Sequence, residues 1–170
     1  MDKDTALNFL REHQPMPADD KLTKDLTKKY DEVIDYFIES PDPLCIPLFL
    51  NSFGDGEGNE LYEQVEQVFY TFTTSEVVPH LVKSLSSVHA GVRYWSAQVA
   101  MDYSVPQLID PLEKLLSGDE IGETRQFAAA ALEDIPDKRV DEIFEKQLKV
   151  EDDTELIAEM KEALKRRKRF

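Results

Sequence analysis

A 32-residue spacing dominates the organisation of this 170-residue chain. Pro47, Pro79 and Pro111 are separated by this interval, and an apolar-rich stretch follows each of them. The same offset relates further residues of similar size and polarity: Arg93 and Arg125, Trp95 and Phe127, Ala97 and Ala129. Repetition with a period of about 20 to 50 residues is typical of chains in which one supersecondary unit stacks on the next.

Each repeating unit is predicted to be a pair of helices joined by a polar connection. The first helix begins at or just before its proline, because the missing N–H of a proline has no partner in the first turn anyway. The second helix is predicted over about residues 92–103 and again over about 123–134, with small residues that let helix backbones approach closely. One such pair cannot bury both of its apolar faces, so we expect the units to stack.

Two stretches of the chain carry a recognisable motif. Residues 79–100 read Pro-x-Leu-x-x-x-Leu, a short loop, and then Val-Arg-x-x-Ser-Ala-x-x-Ala. Residues 111–132 contain Thr-Arg-x-x-Ala-Ala-x-x-Leu at the same place. Both stretches resemble HEAT repeats. The resemblance implies an all-α fold, a right-handed α-α superhelix of about four helical hairpins.

Degenerate copies of the motif extend the resemblance to about residues 44–167. In residues 47–74 and 138–167 the motif arginine is replaced by Leu61 and Ile157. The arginine of such repeats usually serves packing and hydrogen bonding between helices. We therefore interpret Arg93 and Arg125 as structural residues: neither is expected to be catalytic.

Residues 1–43 do not follow the period and are predicted to be N-terminal capping helices. Residues 5–13 suggest a short helix, and residues 21–39 carry an apolar stripe of helical period. Terminal repeats of a solenoid need a polar outer face, which two such helices would provide. Residues 44–170 are predicted to form the HEAT-like repeats, within a single structural domain.

The charge of the chain narrows the choice of partner. Acidic residues outnumber basic ones by 35 to 20, a net charge of -15 at pH 7. A surface of this sign repels phosphates, which excludes a generic DNA or RNA binder. Five of the basic residues lie at positions 165–169, where we expect a solvated helix end that the helix dipole favours. The remaining body is therefore even more acidic than the total.

Targeting and redox signals are sparse. The single cysteine, Cys45, cannot form an internal disulfide and is expected to be a small buried apolar residue. The N-terminus shows no secretory signal, and the longest apolar run, residues 44–50, is too short to span a bilayer. We expect a cytoplasmic protein without a membrane partner.

The loop from Asp55 to Asn59 invites comparison with a calcium-binding loop. Oxygen donors occupy its first, third and fifth positions, and Glu66 occupies the twelfth. The sixth position is Glu60, where a calcium loop needs glycine for its sharp turn. We therefore predict a flexible acidic connection between helices and no metal site.

No pattern in the sequence points to catalysis or to a cofactor. The three histidines, His13, His80 and His89, lack an orienting partner at suitable spacing and are expected to be exposed and non-catalytic. Carboxylate pairs are numerous, but no apolar pocket that would separate their pKa values is predicted around them. We expect no catalytic residue, no cofactor and no enzymatic activity.

Solenoids usually bind along the concave face formed by their second helices. Helical spacing predicts eight partner-binding residues on that face: Tyr62, Glu66, Tyr94, Gln98, Asp102, Gln126, Glu133 and Asp134. Met101 is the alternative to Asp102 in this register, and Ala130 lies beside Gln126. Aromatic rings mixed with carboxylates suit a basic protein surface. The alternative is that Tyr62 and Tyr94 pack against the next unit.

These observations predict a protein-interaction module that binds a basic protein partner and is a monomer when free. As a short, acidic, HEAT-like protein, this chain resembles bacterial immunity proteins, which neutralise cationic toxins. The alternative resemblance is to bilin lyase subunits, which act on a pigment and its carrier protein. No residue of this chain forms a convincing site for that chemistry.

Overall fold

The computed structural model describes residues 1–168. These residues form α-helices and short 3₁₀ turns, with no β-strand among them, which confirms the all-α prediction. The chain divides into two compact units, Met1–Trp95 and Ser96–Phe170. The expectation that residues 1–43 act as a cap for the repeats stays a prediction.

The first unit contains five complete helices and the start of a sixth. Their bounds are α1 Lys3–Glu12, α2 Lys24–Glu39, α3 Cys45–Ser52, α4 Val65–Phe69, α5 Thr74–Ser84 and α6 Ala90–Ala100. Side-chain caps set the first two starts, since Asp2 accepts from the N–H of Thr5 at 2.8 Å and Thr23 accepts from the N–H of Leu26 at 3.2 Å. These caps place α1 and α2 within three residues of their predicted starts.

The core of the first unit is aromatic. Tyr30 of α2 is fully buried and contacts the rings of Phe49 and Tyr62 edge-on, with ring centroids 6.0 and 5.9 Å apart. Its hydroxyl is 2.7 Å from the Oγ of Ser52, which donates in turn to the carbonyl of Phe49 at 2.8 Å. The polar atoms of this core are thus hydrogen-bonded.

Helix α5 begins at Thr74, more than one turn before Pro79, so the predicted start at or just before that proline is wrong. The carboxylate of Glu76 accepts from the backbone N–H of Thr73 at 2.9 Å and from its hydroxyl at 2.7 Å. This reciprocal cap fixes the helix start at Thr74 and leaves the proline inside the helix. The corresponding prolines of α3 and of the later helix α7 (Ile109–Gly118) do lie in the first turn, as predicted.

The second helix of the first repeat is shorter than predicted. The period predicts a helix from Leu61 onward, but α4 begins only at Val65. Asn59 and Glu60 have φ angles of 53° and 68°, which a right-handed helix cannot accommodate. A 3₁₀ turn over Gly58–Glu60 stands where the other repeats begin a regular helix.

Over its described residues, 96–168, the second unit contains four further helices, which pack in consecutive pairs. Their bounds are α7 Ile109–Gly118, α8 Gly122–Glu133, α9 Arg139–Gln147 and α10 Thr154–Arg167. Helix α8 packs against both α7 and α10, and α9 packs against α10. Leu112, Leu132, Phe144 and Met160 are fully buried between these helices.

The 32-residue period is preserved in the helix starts. Helix α6 begins at Ala90, α8 at Gly122 and α10 at Thr154, each 32 residues after the one before. The starts of α6 and α8 lie within two residues of those predicted, whereas α6 ends three residues before its predicted end at 103. The second helix of each of these three repeats therefore begins at the same register position.

Candidate partner-binding groove

A groove of about 360 Å³ lies between α8 and α10 in the second unit. Its floor consists of short or flexible apolar side chains from both helices, namely Ala129, Ala130, Met160 and Ala163. Met101 and Phe127 add apolar surface at its sides. We call this feature the α8–α10 groove.

The alanine run of α8 explains why a groove forms there. Ala128 and Ala131 are buried, whereas Ala130 is half exposed and faces the open side. Side chains this small let two helices touch while leaving space above the line of contact. The floor is therefore apolar and shallow without any break in the packing below it.

The rim of the groove is charged. Arg166 pairs with Glu133 through two hydrogen bonds, one of them 2.8 Å between Nη2 and Oε2. This carboxylate raises the pKa of Arg166. Because the pair is bidentate, it neutralises the one cationic group among the lining residues.

Glu159 gives the rim its acidic excess. No Lys or Arg of residues 1–168 forms an ion pair with it. Partial burial raises the pKa of Glu159, and the nearby charges of Glu155 and Asp153 act in the same direction. The groove therefore combines an apolar floor with an exposed carboxylate that has no ion-pair partner among residues 1–168.

Two of the predicted partner-binding residues, Gln126 and Glu133, line this groove. Asp102 and Asp134 are exposed in the same unit, beyond the ends of α6 and α8, and Gln98 is half buried on α6. None of these three lines the groove. Contact of any of the five with a partner stays a prediction.

The sequence prediction missed the contribution of α10. Carrying Gln126 and Ala130 forward by 32 residues gives Ala158 and Glu162, which line a different cavity. The groove instead is lined by Glu159 and Arg166. The side of α10 that faces α8 differs from the side of α8 that faces α10, so the two helices contribute different repeat positions. Helical geometry predicts these α10 residues when the side of α10 that faces α8 is derived, in place of the positions 32 residues after those on α8.

Tyr62 requires a correction. It is only 1% exposed, and its hydroxyl accepts a 3.0 Å hydrogen bond from the backbone N–H of Gly54. Its ring contacts Trp95 edge-on, with centroids 5.5 Å apart. Tyr62 is a core residue of the first unit, so its prediction as a partner-binding residue is wrong.

The other two predicted residues of the first unit are more accessible. Tyr94 is half buried on α6, with its ring 5.4 Å from that of Trp95. Glu66 is half buried on α4. Their contact with a partner stays a prediction.

The acidic loop predicted to be flexible is hydrogen-bonded to other parts of the first unit. Asp19, from the segment between α1 and α2, accepts from the backbone N–H groups of Glu57 and Gly58, both at 2.8 Å. Asp55 accepts from the N–H of Gly91 at 3.1 Å, and Trp95 donates to the carbonyl of Gly56 at 2.9 Å. The carboxylates near this loop thus serve to hold the backbone. Within residues 1–168, no three His, Cys, Asp or Glu side chains are grouped so that they could hold a metal ion.

The remaining candidate residues have structural surroundings. Cys45 is buried, as predicted, and burial raises the pKa of its thiol to about 12. His89 is exposed, as predicted, but His13 and His80 are half buried. His13 stacks on Phe9 with ring centroids 4.4 Å apart, while burial and then Lys83 lower the pKa of His80.

The basic segment at the end of α10 is not simply solvated. The guanidinium of Arg167 donates to the carbonyls of Ile135 and Asp137, both at 2.8 Å, and to the carboxylate of Asp141 at 2.6 Å. It also donates to the carbonyl of Glu133, the last residue of α8. It therefore caps α8, whose final carbonyls have no partner within the helix. Arg169, the last of the predicted basic tail, lies outside the described residues.

Comparison with known proteins identifies the repeat. The family model of HEAT repeats matches residues 78–165, just over half of the chain. No curated protein matches the chain significantly. Among the helices of residues 1–168, none has the length and apolar character needed to cross a membrane.

Proposed function

The chain belongs to the HEAT-repeat family, whose repeats generally mediate protein–protein interaction, and we propose that it is a non-enzymatic module that binds a basic protein partner. The α8–α10 groove is the site that we assign to this partner. The observation that carries the proposal is the combination of an apolar floor with an acidic rim. Such a surface fits an apolar side chain that has Lys or Arg beside it.

The apolar lining of the groove supplies contact area. Met101 is 41% exposed and Phe127 is half buried, and the flexible thioether of Met101 adapts to the shape of a partner. An apolar anchor from the partner would displace water from this lining. Buried anchors of this kind carry most of the free energy of binding in protein interfaces.

The rim supplies charge complementarity. Glu159 offers an uncompensated carboxylate, and Glu133 could exchange Arg166 for a cationic group of the partner. The net charge of -15 would speed the encounter with a basic protein and make it sensitive to salt.

A non-enzymatic role fits the same groove. Its titratable groups are Glu133, Glu159 and Arg166, of which the first and last already pair with each other. A single remaining carboxylate supplies neither a nucleophile with its base nor a matched acid and base. We therefore assign binding, without a chemical step, to this site.

The specific biological role that we propose is that of an immunity protein, which neutralises a cationic toxin by occupying its basic surface. Small size and strong acidity support it. No residue that lines the groove favours the bilin lyase alternative.

A pull-down with the full chain as bait tests the proposal, with the recovered protein then purified and titrated. Wild type should recover one dominant basic protein at low ionic strength and less at moderate ionic strength. Glu159→Lys should lose this protein because it reverses the free charge of the rim, and Ala130→Trp because it fills the groove. Glu123→Lys, an exposed position of α8 that does not line the groove, is the matched control and should retain it.

Equal recovery by all three variants, or recovery of an acidic protein, would contradict the groove assignment. The changes Glu66→Lys and Asp102→Lys, which the sequence prediction singles out, show whether the footprint of the partner extends beyond the groove. Neutralisation of a toxin by the purified chain would separate the immunity role from other binding roles.

A further inference from the structure

The side of α10 that faces away from the groove forms a second surface. Ile157, Lys161, Leu164 and Lys168 follow one another at intervals of three or four residues and so share one side of the helix. A cavity of about 530 Å³ lies along them and is also lined by Ala158. We call this surface the outer face of α10.

The preceding repeat shows what such a face normally receives. On α8 the positions 32 residues earlier are Arg125, Ala129 and Leu132. Ala129 and Leu132 are 5% and 0% exposed, and Arg125 pairs with Glu151 in the loop that leads to α10. On α8 this side is therefore packed against the next repeat. On α10 the position of Ala129 is taken by the exposed Lys161.

Three lysines and one glutamate, Glu162, line the cavity, so the outer face is basic whereas the chain as a whole is acidic. Lys165 and Lys168 pair with Glu162 and Glu145, at 2.6 and 3.7 Å. Lys161 pairs with no acidic side chain in the part of the chain that the structure describes. Solubility alone does not require lysines here, because acidic residues serve it better and are used throughout this chain.

The face also keeps apolar surface. Ile157 replaces the motif arginine and is half buried, and Ala158 is exposed beside the cavity. The outer face thus combines an apolar strip with lysines around it, at the repeat position that on α8 receives the next helix.

We propose that the outer face of α10 docks an acidic amphipathic helix of a partner protein. The position in the repeat argues for a helix, because α10 itself packs on the equivalent side of α8. The charge argues for acidic residues on that helix, which would lie opposite Lys161 and Lys168 while its apolar residues contact Ile157 and Ala158. This partner is distinct from the basic one that we assign to the groove.

Two synthetic helical peptides test the inference with the full chain. Both have the same apolar stripe, and the polar face is glutamate in one and lysine in the other. Fluorescence anisotropy should show that the glutamate peptide binds and that its affinity falls as ionic strength rises. Lys161→Glu should weaken binding about tenfold. Lys114→Glu, the same change at an exposed position of α7, should alter it less than about twofold.

A neutral variant separates shape from charge. Ala158→Trp fills the cavity without changing charge and should weaken the glutamate peptide as well. NMR titration of the wild-type chain should shift amide signals over residues 154–168. The inference is overturned if the wild type does not bind the glutamate peptide, if both peptides bind equally, or if Lys161→Glu and Lys114→Glu have equal effects.

The groove variant distinguishes this inference from the proposed function. Glu159→Lys should lose the basic partner of the groove without weakening the glutamate peptide. Loss of both ligands in this variant would contradict two separate surfaces, whereas failure of the peptide alone leaves the groove assignment intact.

Discussion

The guanidinium of Arg125 donates a 3.1 Å hydrogen bond to the backbone carbonyl of Asp119, in the loop that precedes α8. Arg93 makes the equivalent contact with the carbonyl of Ser87, also at 3.1 Å. Both pairs are six residues apart and are related by the 32-residue period. The repeat therefore preserves the contact together with the residue, which confirms the structural interpretation of both arginines.

Arg125→Leu should lower the free energy of unfolding by about 2 kcal/mol. The loop would lose its donor, and Glu151, whose side chain is 4% exposed, would lose its counter-ion. Chemical denaturation measures the change. Arg139→Leu is the matched control, because this arginine is 52% exposed and its ion pairs should contribute less than about 0.5 kcal/mol. Equal losses in both variants would contradict a special role for Arg125.

Stability should depend on pH through Glu151. Burial acts to raise its pKa, but hydrogen bonds from Gln147 and from the N–H of Asp153, with the charge of Arg125, outweigh burial and lower it below its ordinary 4.5. A lowered pKa in the folded state means that the ionised group stabilises the fold above pH 4.5. This contribution is lost as the pH falls through the folded pKa.

Glu151→Gln tests this dependence. The variant should be less stable than wild type at neutral pH, and the difference should shrink as the pH falls below about 4.5. Denaturation curves at a series of pH values measure it. Glu123→Gln, at an exposed position, should show a small difference throughout. A gap between wild type and Glu151→Gln that stays constant down to acidic pH would contradict the expected role.

Two glycines should respond oppositely to replacement by alanine. A Cβ at Gly91 would overlap the backbone carbonyl of Gly54, so Gly91→Ala should lower the free energy of unfolding by about 3 kcal/mol. Gly118 ends α7 with no atom within 4 Å of such a Cβ, so Gly118→Ala should raise it by about 0.5 kcal/mol. Thermal denaturation compares the two, and a change of the same sign in both would rule out this explanation.

Tyr62→Phe should destabilise the first unit without affecting the groove. The change removes the acceptor for the buried N–H of Gly54 and should lower the free energy of unfolding by about 1 to 2 kcal/mol. Tyr36→Phe, at a half-buried tyrosine of α2, is the control and should have a smaller effect. If Tyr62→Phe weakened the groove partner at unchanged stability, its assignment to the core would be incorrect.

The period predicts the regular part of the fold because helix starts repeat with it. It fails at α4 because the loop before that helix depends on Asp19, which is 38 and 39 residues away from the N–H groups that it binds. A contact over such a separation leaves no local pattern. The positive φ angles of Asn59 and Glu60 follow from this held loop and interrupt the helix.

The period also explains which parts of the site could be predicted. It places Gln126 and Glu133 on one side of α8, where both line the groove, and their contact with a partner stays a prediction. It treats Tyr62 and Tyr94 as equivalent, although Tyr62 is buried by aromatic residues such as Tyr30, which belongs to the part of the chain outside the repeats. The period predicts contacts among residues of the repeats, and it does not predict contacts with residues outside them.

The identical register of the second helices has a consequence for how such a chain can change length. Residues 122–153 run from the start of α8 to the residue before α10, so they form one complete 32-residue cassette. A duplicate inserted before Thr154 would bring its own copy of Arg125, and the carbonyl six residues before that copy would be the one of Glu151 in place of Asp119. Insertion of whole cassettes would therefore leave the outer face of α10 unchanged. Each added copy of α8 would form one more groove with the second helix that follows it.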